Sequence, residues 1–312
     1  MQRVAVVQAG SFLFDTPRTL DQMAVHCQAA KREGASLVVF PEAYIGGYPK
    51  GLSFGAVVGS RDAAGREMYR RYHEAAIDVP GPEVARMGEF ALDMQAYLIV
   101  GVIERDGGTL YCTALIFGPD GTLAGKHRKL MPTASERLIW GMGDGSTLPV
   151  IDSPMGRIGT AICWENYMPM LRQSYYAKGV GLWCAPTVDS RDVWQASMRH
   201  IACEGRTFVL SACQYLDAGH LPSDYPVDPQ DSSTYICGGS VIVGPLGDVL
   251  AGPLRDREGI LVADIDPQDV VRAKFDLDVA GHYGRPDIFA LHVDTAARPS
   301  VAFSQAEPTG DA

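Results

Sequence analysis

Near its start the chain reads RVAVVQ at residues 3–8, TPRTLDQMAVHCQAAKREG at 16–34 and SLVVFPE at 36–42, and this succession decides the fold class. The first and third stretches are short apolar runs, typical of buried strands. The middle stretch predicts a helix, with Thr16 as N-cap, Pro17 at its first position and Gly34 as its end. A strand, a helix and a strand in succession indicate a layered α/β domain.

The same alternation continues along the chain. Helices are predicted near residues 64–77, 82–95, 168–179 and 192–205, and strands at 96–104, 110–118, 156–163, 181–186, 207–214, 235–244 and 259–266. Two stretches, IFGPDGTLAG at 116–125 and IVGPLGDVLAG at 242–252, predict β-hairpins. Hairpins among strand–helix units indicate mixed sheets. Two such β-sheets packed face to face, with helices outside, would bury this many apolar strands.

Composition narrows the classes of function. The 312 residues are 46% hydrophobic and 21% charged, as expected for a folded domain. The net charge of -10 disfavours nucleic acid and anionic membranes as partners, because Lys and Arg hold both. No apolar run reaches transmembrane length, and the apolar run in MQRVAVVQAG is too short for a secretory signal. Seven scattered cysteines without a C-x-x-C pair favour reduced thiols, so we expect a cytoplasmic protein without a structural zinc.

The domain organisation is simple. No linker interrupts residues 1–290, so we expect a single domain over residues 1–294. From Ala296 onward the sequence AARPSVAFSQAEPTGDA loses its apolar periodicity. We therefore expect residues 295–312 to be a poorly ordered tail.

Three residues stand out by position: Glu42 and Cys163 each end a predicted strand, and Lys129 follows a predicted hairpin. Catalytic groups in α/β folds collect at the carboxyl ends of strands. Each residue alone has a plainer interpretation, as a helix cap, a solvated lysine or a core thiol. Together they form a chemical set, because a thiol with a pKa of about 8.5 needs a cation or base to become a nucleophile. One nearby ammonium is expected to supply the roughly 2 kcal/mol that lowers this pKa to about 7. No histidine stands in a motif for this task, and His127 is expected to be solvated or hydrogen-bonded.

Three segments carry a resemblance to a known family: PEAYIGGYPKG at 41–51, KHRKLMPTASERLIWGMGDGS at 126–146 and CWENYMPMLR at 163–172. They resemble the nitrilase branch of the carbon-nitrogen hydrolase family, and the similarity runs from Arg3 to about Asp294. The resemblance implies an αββα sandwich, no cofactor, and a catalytic triad of Glu42, Lys129 and Cys163. It implies a second glutamate at Glu136. It also implies a homodimer or a larger homo-oligomer such as a spiral, with AGHYGRPDIF at 280–289 near an interface.

The expected activity is hydrolysis of a small-molecule nitrile to the carboxylic acid and ammonia. Cys163 would attack the nitrile carbon, and a thioimidate and then a thioester would follow. A pocket with few fixed charges is expected from Tyr48, Trp164, Pro186 and Thr187, which favours an aromatic or arylaliphatic nitrile.

Rival interpretations remain open. An amidase or carbamoylase would use the same triad, and cyanide-degrading enzymes share the signature around Cys163. A non-catalytic scaffold would retain these four catalytic-type residues only by coincidence. His200 and Glu204 lie four apart on a predicted helix, but a surface pair is favoured over a metal site because no third ligand is evident.

Overall fold

The computed structural model describes residues 1–226 and 234–301. The helices are α1 (Thr16–Arg32), α2 (Ala63–Ala75), α3 (Pro82–Met94), α4 (Pro169–Ala177), α5 (Asp192–Gly205) and α6 (Gln268–Ala273). The strands are β1 (Gln2–Gln8), β2 (Leu37–Val39), β3 (Ile77–Asp78), β4 (Tyr97–Asp106), β5 (Thr109–Phe117), β6 (Leu123–Arg128), β7 (Val150–Ile151), β8 (Arg157–Thr160), β9 (Val180–Thr187), β10 (Phe208–Cys213), β11 (Tyr215–Asp217), β12 (Thr234–Val243), β13 (Val249–Arg255) and β14 (Gly259–Ile265).

These strands form two seven-stranded sheets of mixed direction. The first has the order β14-β1-β2-β4-β5-β6, with β3 beside β4, and the second has the order β11-β12-β10-β9-β8-β7, with β13 beside β12. Parallel pairing occurs in the middle of each sheet, as in β1–β2 and β9–β10. Antiparallel pairs, including the predicted hairpins β5–β6 and β12–β13, lie toward the edges.

The two sheets face one another across a buried apolar layer. In β1, Val4 and Val6 belong to this layer, whereas Ala5 and Val7 belong to the cluster on the opposite face. Successive side chains of a strand point to opposite faces, so a strand buried on both faces needs an uninterrupted apolar run. The run RVAVVQ has this pattern.

Helices cover the two outer faces. On the first sheet, α1 and α3 contribute residues such as Met23 and Met87 to the outer cluster. On the second sheet, α4 and α5 contribute residues such as Tyr175 and Trp194 to another. The layers are therefore helix, sheet, sheet, helix, and the predicted αββα sandwich is confirmed.

Several boundaries differ from the sequence prediction. The N-cap of α1 is Asp15, whose side chain accepts the Arg18 N–H, so Thr16 already lies in the helix. Strand β2 ends at Val39, three residues before Glu42, and β8 ends at Thr160, before Cys163. Glu42 and Cys163 thus lie on turns beyond their strands, where the backbone is no longer constrained by the hydrogen bonds of the sheet.

Beyond α6 the chain follows the surface, and the described residues 274–301 include no further helix or strand. The Arg298 backbone N–H donates to Asp144 Oδ2 over 2.7 Å, so this segment contacts the body of the protein. Residues 302–312 of the predicted poorly ordered tail lie outside the described residues, and the division at residue 294 stays a prediction. None of the described helices has the length and apolarity that a membrane crossing requires.

Candidate active site

The turns after β2, β6 and β8 bring Glu42, Lys129 and Cys163 to one buried place. All three side chains are almost inaccessible, with Cys163 4% exposed. Glu42 and Lys129 come from the first sheet, and Cys163 comes from the second. A Gln214 side-chain N–H donates to the Glu42 backbone oxygen over 2.8 Å, which ties the two halves together beside the site.

The Lys129 ammonium lies between two carboxylates. Its Nζ is 2.6 Å from Glu42 Oε1 and 2.8 Å from Glu136 Oε2. Glu136 also accepts the Tyr48 hydroxyl at 2.9 Å and the Thr133 backbone N–H at 2.6 Å. Glu136 is therefore itself held in place, which helps to fix the position of the cation.

Cys163 opens a short 3-10 turn, residues 163–167, with a left-handed φ of 51°. A non-glycine residue adopts this region at an energetic cost and needs surrounding contacts to hold it there. Asn166 supplies two of them, since its side-chain amide donates to the Ala161 and Cys163 carbonyls at 2.9 and 2.8 Å. The Thr187 hydroxyl donates to Cys163 Sγ over 3.2 Å. These contacts hold the sulfur in one orientation at the start of the turn.

Burial and charge set the protonation states of the site. Desolvation raises the pKa of Glu42 against the opposing effect of Lys129. Lys129 is also desolvated, but Glu42 and its other anionic neighbours raise the lysine pKa well above its usual value, so the cation persists. Glu42 Oε2 has no hydrogen-bond partner among the described residues.

The thiol differs from the sequence expectation. Burial, followed by the charge of Glu42, raises the pKa of Cys163, and Lys129 and Thr187 only partly oppose that rise. The expectation that the Lys129 ammonium alone would bring this pKa to about neutrality is wrong, because desolvation outweighs it. A thiol in this place needs a base that removes its proton during the reaction.

The contact between two buried residues behind the site, His127 and Glu165, was not predicted from the sequence. His127 Nε2 lies 2.9 Å from Glu165 Oε2, and the Glu165 carboxylate accepts the backbone N–H groups of Ile162 and Leu130 at 2.8 and 2.6 Å. These two backbone groups adjoin Cys163 and Lys129, so one carboxylate fixes both turns. His127 is hydrogen-bonded as expected but fully buried, not solvated. The position of Glu165 directly after Cys163 and Trp164 was the available signal.

The residues expected to bind substrate are placed differently. Tyr48 and Glu136 line a cavity of about 470 Å³ whose other walls include Leu52, Phe54, Leu138 and Ile139. Trp164, Pro186 and Thr187 do not line that cavity. Pro186 is buried within β9, and Thr187 contacts the sulfur itself.

Trp164 is 41% exposed, and two charged groups hold it. Its indole N–H donates to Asp189 Oδ2 over 2.9 Å, and the Arg191 guanidinium lies 4.9 Å from its ring centroid. Arg191 and Asp189 form an ion pair with each other. The expectation of a pocket wall with few fixed charges is therefore wrong beside Trp164.

His200 and Glu204 lie 3.6 Å apart on α5. Glu204 is also bound by the Arg172 guanidinium at 2.6 Å and by the Tyr176 hydroxyl at 2.9 Å. Within residues 1–226 and 234–301, no three His, Cys, Asp or Glu side chains gather as a metal site requires.

Comparison with known proteins places this geometry in context. The carbon-nitrogen hydrolase family matches residues 3–275. A bifunctional nitrilase/nitrile hydratase of Lupinus angustifolius is 54% identical over 97% of this chain and 89% of its own. An aliphatic nitrilase of Sinorhizobium fredii is 52% identical over 96% of this chain and 97% of its own. The solved structure of an amidase from Nesterenkonia sp. AN1, 19% identical, has the same fold, with a TM-score of 0.68 over 87% of this chain and 96% of that one.

Proposed function

From the premise that this chain belongs to the carbon-nitrogen hydrolase family, we propose that it is a nitrilase, which hydrolyses an organic nitrile to the carboxylic acid and ammonia. The observation that carries the proposal is the placement of the buried Cys163 thiol near a lysine that is held between two carboxylates. The nitrilase names of relatives at 51–54% identity favour a nitrile as the substrate.

In the first step, Glu42 takes the proton of the Cys163 thiol. Two observations support this role. Glu42 Oε2 has no hydrogen-bond partner among the described residues, and the raised pKa of Glu42 makes its carboxylate a stronger base than an ordinary glutamate. The sulfur attacks the nitrile carbon, a C–S bond forms, and one π-electron pair moves to nitrogen. Protonation of that nitrogen gives a thioimidate.

In the later steps, two water molecules complete the hydrolysis. Glu42 activates the first water, which adds to the thioimidate carbon, and the C–N bond breaks with release of ammonia. The second water cleaves the resulting thioester and returns the proton to sulfur. Overall, one nitrile and two waters give one acid and one ammonia.

Lys129 stabilises the negative charge that develops at each tetrahedral intermediate. Its ammonium is already desolvated and fixed by Glu42 and Glu136, so little reorganisation is needed during the reaction. The backbone N–H of Trp164, which follows the nucleophile, is the second donor. It has no acceptor among the described residues. These steps use only side chains and backbone of this chain together with water.

We propose an aromatic or arylaliphatic nitrile as the preferred substrate. The support is the cavity of about 470 Å³ that borders Tyr48 and Glu136 and has apolar walls at Phe54 and Leu138. Burying apolar area contributes about 25 cal/mol per Å², so a phenyl group gains far more than cyanide does. A relative named as an aliphatic nitrilase, at 52% identity, makes short aliphatic nitriles the comparison to measure.

The test is a panel of cyanide, a short aliphatic nitrile, benzonitrile, phenylacetonitrile and the corresponding amides, with ammonia, acid and amide quantified. We expect the aryl nitriles to be turned over fastest, with acid and ammonia in equal amounts. Amide is quantified because a relative at 54% identity is named both nitrilase and nitrile hydratase. Faster turnover of the amides than of every nitrile would identify an amidase or carbamoylase instead. Activity on cyanide alone would remove the pocket argument, and no ammonia from any compound would favour a scaffold.

We further propose a homodimer or a larger homo-oligomer, such as a spiral. The support is the surface segment 280–294, where Tyr283, Ile288 and Phe289 are more than half exposed. Exposed apolar side chains in one segment mark an interaction surface. A monomer-sized species in light scattering would overturn this proposal.

A cytoplasmic location is also proposed. It is supported by the seven cysteines, all of them free thiols. Fractionation of the native host's cells tests it, and recovery of the enzyme outside the cytoplasm would overturn it.

A further inference from the structure

The Thr187 hydroxyl has a fixed direction. Its Oγ1 accepts the backbone N–H of Asp189 over 2.9 Å and lies 3.2 Å from Cys163 Sγ. A hydroxyl has one hydrogen to donate, and its oxygen already accepts from Asp189. The hydrogen is therefore directed at the sulfur.

The backbone that sets this direction is itself anchored. The Asp189 carboxylate accepts the Trp164 indole N–H at 2.9 Å and pairs with the Arg191 guanidinium. Asp189 is buried, and Thr187 is fully inaccessible at the end of β9. Water therefore does not compete for the hydroxyl in this structure.

The sulfur changes from thiol to thiolate in the proposed reaction. A hydrogen bond to an ionised acceptor is shorter and roughly twice as strong as one to a neutral acceptor. The Thr187 contact therefore stabilises the thiolate more than it stabilises the thiol. Burial and the charge of Glu42 raise the pKa of Cys163, whereas the hydrogen bond from Thr187 lowers it.

We propose that Thr187 is a further catalytic residue, whose hydroxyl donates to Cys163 Sγ and holds the thiolate while Glu42 carries its proton. The inference rests on the proposed function, in which Cys163 is the nucleophile. It changes the role expected for Thr187, from a wall of the substrate pocket to a partner of the reacting atom.

The experiment compares Thr187→Val, which removes the hydroxyl at nearly constant volume, with Thr187→Ser, which keeps it. Thr160→Val is the matched control, since Thr160 is fully buried near Cys163 and its hydroxyl has no partner among the described residues. Each protein is alkylated with iodoacetamide from pH 6 to pH 10, and mass spectrometry follows the peptide that contains Cys163. Thermal unfolding by circular dichroism checks that each variant is folded, and kcat/KM for benzonitrile is measured in parallel.

We expect Thr187→Val to slow the alkylation of Cys163 by about tenfold or more at each pH below the Cys163 pKa. Thr187→Ser and Thr160→Val should keep the wild-type alkylation rates. An unchanged alkylation profile in folded Thr187→Val would overturn the proposal, as would an equal slowing in Thr160→Val. Alkylation does not require nitrile turnover, so slowed alkylation of Thr187→Val in a protein that is inactive on nitriles would refute the proposed function and leave the Thr187 contact standing.

Discussion

Substitution of Lys129 by methionine tests the reasoning about the site most directly. The ammonium is completely buried, 2.6 Å from one carboxylate and 2.8 Å from another. Methionine keeps much of the side-chain length and removes the charge, which leaves Glu42 and Glu136 without their shared counter-ion. Removing one partner of a buried ion pair costs about 3–5 kcal/mol. We expect the free energy of unfolding to fall by about that amount at pH 8.

The catalytic loss should be larger than the stability loss suggests. Lys129 is the charge that lowers the pKa of Glu42 against burial, so its removal raises this pKa further and leaves less ionised Glu42 to accept the thiol proton. The charge of the tetrahedral intermediates also loses its donor. A fixed donor of this kind contributes about 10²–10³ in rate, so ammonia release from benzonitrile should fall by at least that factor.

The pH dependence separates this cause from general damage. Without Lys129 the buried Glu42 carboxyl has a pKa raised further above its value in the unfolded chain, so the destabilisation of Lys129→Met should shrink as the pH falls and Glu42 takes up a proton in both states. Chemical denaturation at pH 8 and pH 5.5 measures the difference. Lys31→Met is the control, because Lys31 pairs with Asp93 on the surface and lies outside the site; it should leave rate and stability unchanged. Wild-type activity in Lys129→Met, or an equal loss of stability at both pH values, would refute the reasoning.

Three other predictions concern the nucleophile, the base and the C-terminal segment. Cys163→Ala and Cys163→Ser should abolish ammonia release at an unchanged melting temperature, whereas Cys184→Ala, in the layer between the sheets, should keep kcat and lower stability; turnover by Cys163→Ala would exclude the nucleophile. Glu42 acts as the base in its ionised form, and its pKa is raised. As the pH is lowered, kcat/KM should therefore begin to fall at a pH above the usual pKa of glutamate; a rate independent of pH down to 4.5 would contradict this. Truncation after Pro299 should be tolerated because it keeps the contact with Asp144, and truncation before Ala280 should not; solubility and activity measure both, and an active protein ending before Ala280 would contradict it.

The sequence was most informative where the cause is local. Uninterrupted apolar runs predicted the buried strands, and the spacing of apolar residues predicted the span of α5 (Asp192–Gly205). The grouping of Glu42, Lys129 and Cys163 could be inferred because catalytic groups in α/β folds collect at the carboxyl ends of strands. That Cys163 comes from the second sheet and the other two from the first could not be inferred.

What could not be predicted depends on contacts between distant residues. The bond from the Leu130 backbone N–H to Glu165 joins two turns that are far apart in sequence, and no local pattern encodes it. The pKa of Cys163 depends on burial by both sheets. Reasoning from the lysine charge alone therefore predicted a lowered pKa, whereas burial raises it. Asp189 and Arg191 follow a strand without any apolar periodicity, so their position against Trp164 also required the structure.

The pairing of β1 with β14 also bears on how the chain is made. Gln2 lies opposite Ile265 in an antiparallel ladder, so β1 leaves the ribosome long before its partner strand β14 is synthesised. Until then β1 carries an open row of backbone donors and acceptors along an apolar strand, a surface prone to pairing with other chains. Partners so distant in sequence also slow folding. Cooler growth or chaperones that shield the nascent chain should therefore raise the soluble yield, by protecting that edge until residues 259–265 have been synthesised.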